Sequence, residues 1–276
     1  MRKLGVSINP DVWKTSEDEV LEVIRQAGFD AFFIGYLCRP DMEARMARCA
    51  EAAARKGLWF ECVHAPFIDA AGQKSTNRLW LPGEAGDAEC ELLISCVRSC
   101  RKNGVGTVVV HLSAGDDAPC ISDVGHSRLD RLVNEAVKEN VTLAFENQRK
   151  LANLAFVFEV YNDVPQVRFC WDMGHEACFT PGREYMPLFG DKLVYTHIHD
   201  NNCELNRDLH MVPFDGSIDF ARRAAWLKQF DYQGTLTLEV APKKSGRYDG
   251  WNAPQFYAHA YAAACRLRDM VDGSAE

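Results

Sequence analysis

The segments TVVVHLS (residues 107–113), DVGHSRLDRLVNEAVKEN (123–140) and TLAFEN (142–147) show the pattern that decides the fold. The first and third are short runs of mainly apolar residues, rich in β-branched or aromatic side chains, as is typical of strands covered on both faces. The middle segment carries apolar residues at helical spacing. A strand, a helix and a second strand in this order predict parallel strands of one sheet.

The same alternation runs along the whole chain of 276 residues. Strands are predicted at 4–8, 31–36, 59–65, 107–113, 142–147, 167–173, 193–200 and 235–240. Helices are predicted at 15–27, 41–57, 88–103, 123–140, 153–163, 219–230 and 253–271, with a weakly patterned one between Pro181 and Asp191. Eight such units predict an α/β protein with a single (β/α)8 TIM barrel, one domain over residues 1–276. An open, doubly wound sheet of eight strands is the alternative.

Composition indicates which binding partners and which cellular compartment to expect. A net charge of −8 argues against binding nucleic acid through its phosphates, because such proteins usually carry a basic patch. No apolar run approaches the ~20 residues needed to cross a bilayer. Eleven cysteines lack a C-x-x-C pair, and several (Cys49, Cys90, Cys96, Cys100 and Cys265) fall in amphipathic stretches. With no secretory leader before the first strand, we expect reduced thiols in a cytoplasmic protein.

Metal-binding side chains stand at the C-terminal ends of the last six predicted strands. They are His64, His111, Glu146, Asp172 with His175, His197, and Glu239. A single histidine at a strand end is usually structural, but six placements at the same end of a barrel indicate one common site. Imidazoles and carboxylates that converge on one cavity suit a divalent cation.

Other polar and aromatic residues have weaker signals. Asp208 and His210 form an Asp-x-His pair in the seventh loop, a pattern that a solvated loop also explains. His199 shares a strand face with His197, yet it could lie beyond the metal. His126 and His259 fall in predicted helices and are interpreted as surface or packing residues. Three aromatic residues near the loops are interpreted either as sugar-packing or as core residues: Trp13, Phe67 and Trp80.

Taken together, these segments resemble the xylose isomerase-like barrel superfamily, in the group of sugar phosphate isomerases and epimerases. The resemblance covers nearly the whole chain. It is carried by Val63-His64-Ala65-Pro66-Phe67, Val109-Val110-His111, Phe145-Glu146-Asn147, Asp172-Met173-Gly174-His175, His197-Ile198-His199-Asp200-Asn201, Asp208-Leu209-His210, Gly216-Ser217-Ile218-Asp219-Phe220 and Leu238-Glu239-Val240. Each motif is degenerate alone, and their order and strand phase make the set specific.

The resemblance implies one divalent cation held by Glu146, Asp172, His197 and Glu239. Mn²⁺ and Zn²⁺ are the first candidates, with Mg²⁺ and Co²⁺ as alternatives. Glu146 and Glu239 would move protons through an enediolate, which gives isomerisation or epimerisation of a sugar, sugar phosphate or polyol. A further set would bind substrate or form a second metal cluster: His64, His111, His175, Asp208, His210 and Arg207.

The superfamily also includes the endonuclease IV type of abasic-site nuclease, whose three-zinc cluster uses matching positions. A zinc phosphodiesterase is therefore one alternative function, and a catalytically silent metal-binding subunit is another. Two departures from the nuclease pattern favour the sugar enzyme: Gln148-Arg149-Lys150 after the fifth strand, and Pro213-Phe214-Asp215-Gly216 in the seventh loop. We expect a small sugar-derived substrate and neither membrane nor nucleic acid as partner, and the sequence leaves self-association open.

Overall fold

A computed structural model describes residues 1–273 of the chain. Its strands are β1 (Leu4–Ser7), β2 (Ala31–Gly35), β3 (Trp59–His64), β4 (Thr107–Val110), β5 (Thr142–Glu146), β6 (Val167–Asp172), β7 (Leu193–His197) and β8 (Leu236–Leu238). Its α-helices are α1 (Pro10–Trp13), α2 (Glu17–Ala27), α3 (Met42–Lys56), α4 (Glu84–Lys102), α5 (Asp123–Glu139), α6 (Leu151–Val160), α7 (Met173–Phe179), α8 (Met186–Phe189), α9 (Phe220–Gln229) and α10 (Ala253–Asp272). Short 3-10 helices cover Thr76–Trp80 and Gly190–Lys192.

The eight strands form one sheet in the order β7-β6-β5-β4-β3-β2-β1-β8. Strand β1 pairs in parallel with β2 and β8, β3 with β4, and β5 with both β4 and β6. The two end strands of this order are joined by a parallel bridge between Ile198 and Leu238. The fold is a (β/α)8 barrel, which confirms the predicted class and excludes the open doubly wound sheet.

The chain divides into two compact units, each with its own buried core. Unit 1 comprises Met1–Phe33, Glu51–Phe60 and the chain from Trp171 onward. In it α10 packs against α2 and α9, over core residues such as Val6 and Leu267.

Unit 2 comprises Ile34–Ala50 and Glu61–Cys170. In it α4 packs against α5, and Cys96 and Leu129 are fully buried. A single domain over residues 1–276 stays a prediction, and its last three residues lie outside the described part.

Helix boundaries follow local capping chemistry where the sequence carries it. Helix α2 begins with a capping box, in which the Ser16 side chain accepts from the Glu19 amide and Glu19 accepts from the Ser16 amide. It ends at Gly28, whose φ of 112° lies in the left-handed region that favours glycine. Helix α10 begins with a second capping box, formed by Asn252 and Gln255. These signals explain why the predicted boundaries of both helices agree with the structure.

The prediction was wrong around the sixth strand. Strand β6 ends at Asp172, and α7 begins at once with Met173, inside the predicted strand end. The predicted helix between Pro181 and Asp191 amounts only to α8 and the 3-10 turn that follows it. A seven-residue helix is too short to show an apolar stripe, so its period was not visible in the sequence.

The long third loop is also more ordered than predicted. It contains the 3-10 helix Thr76–Trp80, and α4 starts at Glu84 rather than at residue 88. Arg128 of α5 is buried and donates to the carbonyl oxygens of Leu79, Leu81 and Gly83. One guanidinium thus satisfies several loop carbonyls, a long-range contact that sequence patterns do not report.

Two composition-based expectations bear on the described chain. Within residues 1–273 no helix combines the length and hydropathy needed to cross a membrane. Of the five cysteines in amphipathic stretches, Cys49, Cys90, Cys96 and Cys100 are buried, whereas Cys265 is partly exposed.

Candidate metal centre

Unit 2 carries a compact group at the ends of three neighbouring strands, His64, His111 and Glu146, called here the unit 2 group. Ligand atoms of the three residues all lie within 4.8 Å of one another. His111 Nε2 is 2.6 Å from Glu146 Oε2 and 3.1 Å from His64 Nε2. The Glu146 side chain has no exposed area, so solvent does not screen the charge of its carboxylate.

Hydrogen placement shows what the unit 2 group presents to its centre. His64 Nδ1 lies 2.8 Å from the carbonyl oxygen of Ala65, which can only accept a hydrogen bond. Nδ1 therefore carries a hydrogen, and Nε2 faces the other two residues, 3.1 Å from His111 Nε2 and 3.5 Å from Glu146 Oε2. Gln148 Nε2, a donor, is 3.1 Å from His111 Nε2. The sequence analysis noted Gln148 only as a departure from a motif and did not predict that it joins this group.

Unit 1 carries a second group at the ends of β6, β7 and β8: Asp172, His197 and Glu239, called here the main group. One ligand atom from each of the three lies within 4.8 Å of those from the others. His197 Nδ1 is 3.5 Å from Glu239 Oε2, and the His197 ring stacks on Phe33 with centroids 4.9 Å apart. The side chains of Asp172 and His197 are fully buried. Packing thus fixes the imidazole next to two carboxylates.

Unit 1 also brings together His175, His199, Asp208 and His210, called here the histidine group. Ligand atoms of all four lie within 4.8 Å of one another. Asp208 is at the centre: its Oδ2 is 2.9 Å from His210 Nε2 and 3.7 Å from His175 Nε2, and its Oδ1 is 3.6 Å from His199 Nε2. The rings of His199 and His210 stack in parallel, with centroids 4.0 Å apart. The sequence analysis predicted three of these residues and left His199 undecided.

Burial and neighbouring charges shift the pKa values of three members of this group. Burial alone would raise the pKa of Asp208, but the neighbouring His210 and His175 outweigh it and lower that pKa. Burial lowers the pKa of His210, and the adjacent His199 lowers it further. Burial would also lower the pKa of His199, but the carboxylates of Asp172 and Asp208 raise it overall. An ionised Asp208 and a neutral His210 are the forms that act as ligands.

Hydrogen bonds around Asp200 hold the loop that carries Asp208 and His210. Asp200 and Met211 exchange two backbone hydrogen bonds of 2.8 and 2.9 Å. The buried carboxylate of Asp200 accepts from the amides of Asn201, Gly216 and Ile218, which closes the loop of residues 201–219. A Cβ at Gly216 would lie 2.5 Å from the Asn201 carbonyl oxygen, so this turn needs glycine.

The remaining predicted site residues lie in different places. Arg207 pairs with Glu204 at 2.8 Å, and 58% of its side chain is exposed. A cation that the sequence analysis missed, Lys244, instead contacts Asp208 Oδ2 at 2.7 Å. A substrate-binding role for Arg207 stays a prediction.

The three aromatic residues separate clearly. Trp80 is 1% exposed and donates to the Leu112 carbonyl, so it is a core residue and not a sugar platform. Phe67 is 36% exposed and lies against both histidines of the unit 2 group, with ring centroids 5.2 and 5.3 Å away. Trp13 packs on Phe256 and Tyr257. Of the three, only Phe67 is placed beside candidate site residues.

A barrel of eight parallel strands with clustered imidazole and carboxylate groups at the strand ends is a TIM barrel with candidate metal sites. The chain belongs to the xylose isomerase-like TIM barrel family, whose model matches residues 21–260. It is similar to an uncharacterized protein, y4fM, of Sinorhizobium fredii, with 29% identity over 227 residues, 76% of this chain and 70% of that protein. The resemblance to this family is confirmed.

Solved structures of sugar epimerases share the fold. An L-ribulose 3-epimerase superposes with a TM-score of 0.73 at 21% identity, over 100% of this chain and 99% of that one. D-psicose 3-epimerase from Clostridium cellulolyticum H10, solved with D-tagatose, gives a TM-score of 0.72 at 14% identity, over 98% and 99% of the two chains. Identities this low establish the fold, not a shared substrate.

Gly174 generates a prediction about the histidine group. A Cβ at this position would overlap the His199 ring, although the helical backbone itself would favour alanine. We expect Gly174→Ala to destabilise the protein by about 1–3 kcal/mol, as overpacking does, in urea denaturation. Gly106→Ala is the matched control, because Gly106 is exposed with open space around its Cβ position. Equal stability of the two variants would contradict the close approach of His199.

Proposed function

We propose that the chain is a divalent-metal-dependent isomerase or epimerase of a sugar, sugar phosphate or polyol. The observation that carries the proposal is the main group: an aspartate, a histidine and a glutamate at the ends of three successive strands, with ligand atoms within 4.8 Å of one another. Active sites of TIM barrels are built at this end of the strands. The side chains of Asp172 and His197 are fully buried, so solvent does not screen their interactions with a cation.

Glu146 is proposed as the fourth ligand. It ends β5, and its partner in the parallel register of β5 and β6 is Cys170. Side chains two residues apart on a strand face the same side, so this register supports Asp172 and Glu146 facing the same way. The strand order puts β5 next to β6, as a shared site requires.

The donor set fits a hard or borderline divalent cation. Glu146 and Asp172 are carboxylates with no exposed side-chain area, and burial of ionised carboxylates costs several kcal/mol unless a positive charge compensates it. One imidazole and three carboxylates suit Mn²⁺, Zn²⁺, Mg²⁺ or Co²⁺. When bound, such an ion would supply electrostatic stabilisation of the charge that builds on substrate oxygens as a carbon loses its proton.

The chain's own residues would move the proton. Glu146 is the last residue of β5, and Glu239 directly follows β8. The two carboxylates would therefore meet a substrate from different directions. One carboxylate would remove the proton beside the carbonyl group, and the other would return a proton to the same or the neighbouring carbon. The first outcome is epimerisation and the second is aldose–ketose isomerisation.

The unit 2 group would position the substrate. His64, His111 and Gln148 offer imidazole and amide groups to sugar hydroxyls, and the half-exposed ring of Phe67 beside them would pack on carbon–hydrogen faces. The epimerases of related fold are named for L-ribulose and D-psicose, which favours a ketose as the first substrate to test. A cytoplasmic location and self-association stay predictions.

A substrate screen tests the proposal directly. Ketoses, aldoses, inososes and their phosphates are incubated with the Mn²⁺-loaded chain, and products are separated by chromatography. Turnover of any of them supports the proposal. Metal binding without turnover across the whole screen favours the alternative of a catalytically silent subunit.

The main group generates a prediction about metal content. Asp172→Ala and His197→Ala each remove one ligand from a site with ligands on separate strands, so tight binding at that site should be lost while the barrel stays folded. Elemental analysis after gel filtration measures the loss, and circular dichroism checks the fold. Unchanged metal content in both variants would refute the assignment.

The acid–base assignment generates a second prediction. Glu146→Gln and Glu239→Gln keep side-chain size and one ligating oxygen but remove the basic carboxylate. Each should retain most of its metal and lose about 10²-fold or more in turnover, the usual size of general acid–base catalysis. Glu159→Gln is the control, on an exposed position of α6. In D₂O the wild-type product should carry deuterium beside the carbonyl carbon, and unlabelled product would instead indicate a hydride shift.

A third prediction separates this function from the nuclease alternative. The zinc-loaded chain should not incise duplex DNA that contains an abasic site, because its net charge is −8 and Gln148 lies against His111 in the unit 2 group. A gel assay with labelled duplex measures incision. Efficient cleavage would reverse the order of the two functions.

A further inference from the structure

Glu239 directly follows β8, at the point where the sheet pairing of this strand with β1 ends. The parallel register between the two strands ends at Val6 and Leu238. On the other side of β8, the Glu239 amide still donates to the carbonyl oxygen of Ile198 at 3.0 Å. The backbone of this residue is therefore held by a sheet hydrogen bond towards β7, and it needs a different support towards β1.

The hydroxyl of Ser7 replaces the backbone hydrogen bonds of the ladder beyond that point. In the ladder, the Leu236 amide donates to the carbonyl oxygen of Lys3 at 3.1 Å. The same offset further along both strands would pair the Val240 amide with the Ser7 carbonyl oxygen. Instead, the Val240 amide donates to Ser7 Oγ at 3.1 Å, and Ser7 Oγ donates to the Val240 carbonyl oxygen at 3.0 Å. A hydroxyl can make both contacts, because it has one hydrogen and two lone pairs.

The Ser7 carbonyl oxygen is bound by Tyr257 instead of by the ladder. Tyr257 is completely buried, and its hydroxyl donates to the Ser7 carbonyl oxygen at 3.2 Å and accepts from the Asn9 amide at 3.3 Å. Burial raises the pKa of Tyr257 to about 12, so the phenol stays protonated and can donate. Asn9 Nδ2 is a second donor to the Val240 carbonyl oxygen, at 3.1 Å. These contacts fix the backbone around Ser7 and with it the direction of its hydroxyl.

From the side of the loop after β7, His210 holds the same segment. Its Nδ1 lies 2.9 Å from the Glu239 carbonyl oxygen, and its own carbonyl oxygen accepts from the Ala241 amide at 2.9 Å. Residues 239–241 are thus held both by this loop and by the end of β1, all within unit 1. Glu239 Oε2 lies 3.5 Å from His197 Nδ1, so the support of this backbone also determines where the carboxylate lies.

We infer that Ser7 is a positioning residue for Glu239: its hydroxyl holds the Val240 backbone so that the carboxylate faces His197. The inference rests on the proposed function, in which Glu239 is a ligand and a proton-transfer group. Ser7 acts through the backbone of Val240 and not on a substrate atom. Val240 is buried, so an alanine at position 7 would leave its amide without an acceptor. Residues 239–241 would then shift, because a buried amide without an acceptor is unfavourable.

Thr196 of β7 provides a matched control on the other side of β8. Its Oγ1 accepts from the Thr237 amide at 3.3 Å and donates to the Thr235 carbonyl oxygen at 3.2 Å, the same kind of contacts that Ser7 makes. Thr196 is fully buried as well, but it supports the start and middle of β8 and not Glu239. Ser7→Ala and Thr196→Val therefore remove similar contacts, and both should lower Tm. A merely structural role for Ser7 predicts that the two variants behave alike in every other respect.

Crystal structures of the metal-free variants test the inference without reference to activity. In Ser7→Ala the distance between Glu239 Oε2 and His197 Nδ1 should increase, or the carboxylate should lose its single position. In Thr196→Val the distance should stay near 3.5 Å. An unmoved Glu239 in Ser7→Ala overturns the inference. If Ser7→Ala does not fold, Ser7→Cys replaces it, because a thiol has nearly the same shape but is a weak donor and acceptor.

Mn²⁺ titration and kinetics connect the inference to the proposed function. Ser7→Ala should bind Mn²⁺ about 10-fold more weakly and, at saturating Mn²⁺, lose about 10-fold in kcat on the sugar found in the screen, as expected when a metal ligand is poorly oriented. Thr196→Val should keep the wild-type affinity and kcat. Equal losses in both variants overturn the positioning role, because a general loosening of β8 would explain them. Wild-type protein that neither binds Mn²⁺ nor turns over a sugar refutes the proposed function, and the crystal structures still decide whether Ser7 positions Glu239.

Discussion

Buried charge at the ends of parallel strands is the constraint on which the rest of the site depends. Glu146 and Asp172 have no exposed side-chain area, and a carboxylate in such surroundings is costly unless positive charge or hydrogen-bond donors compensate it. The sheet places these residues where strands end and loops can bring imidazoles to them. His111 Nε2 lies 2.6 Å from the Glu146 carboxylate, and the His175 amide donates to Asp172, so each carboxylate has a partner from a neighbouring segment.

Most of the fold could be predicted from the sequence because each strand is a short apolar run and most helices carry an apolar stripe. The exception is the junction at Asp172. This residue ends β6, belongs to the main group and caps α7 by accepting from the His175 amide at 2.6 Å. A residue that serves as strand end and helix cap at once leaves no turn signal between the two elements, so the helix start was placed too late.

Strand alternation allowed site residues to be named where they lie in phase with a strand. It did not allow this where their distance from a partner depends on side-chain packing. His64, His111 and Glu146 fall in phase with their strands, and their ligand atoms lie within 4.8 Å of one another, whereas their role in a common site stays a prediction. His199 could not be assigned, because strand alternation gives the face of a side chain but not its distance from a partner. The His199 ring occupies the space that a side chain at position 174 would fill, and this residue is a glycine that is distant in sequence. The contact between the Gln148 amide and His111 in the unit 2 group is likewise not indicated by any sequence motif.

All four donors of the histidine group come from the short stretch between His175 and His210, within unit 1. Substitutions in this stretch can therefore alter the histidine group without changing the unit 2 group, whose residues all lie earlier in the chain. In the sequence these donors appear as glycine followed by histidine at the start of α7, as His199 two residues after the end of β7, and as Asp-x-His in the loop that follows. These three motifs can be looked for in the sequences of other barrels of the same family.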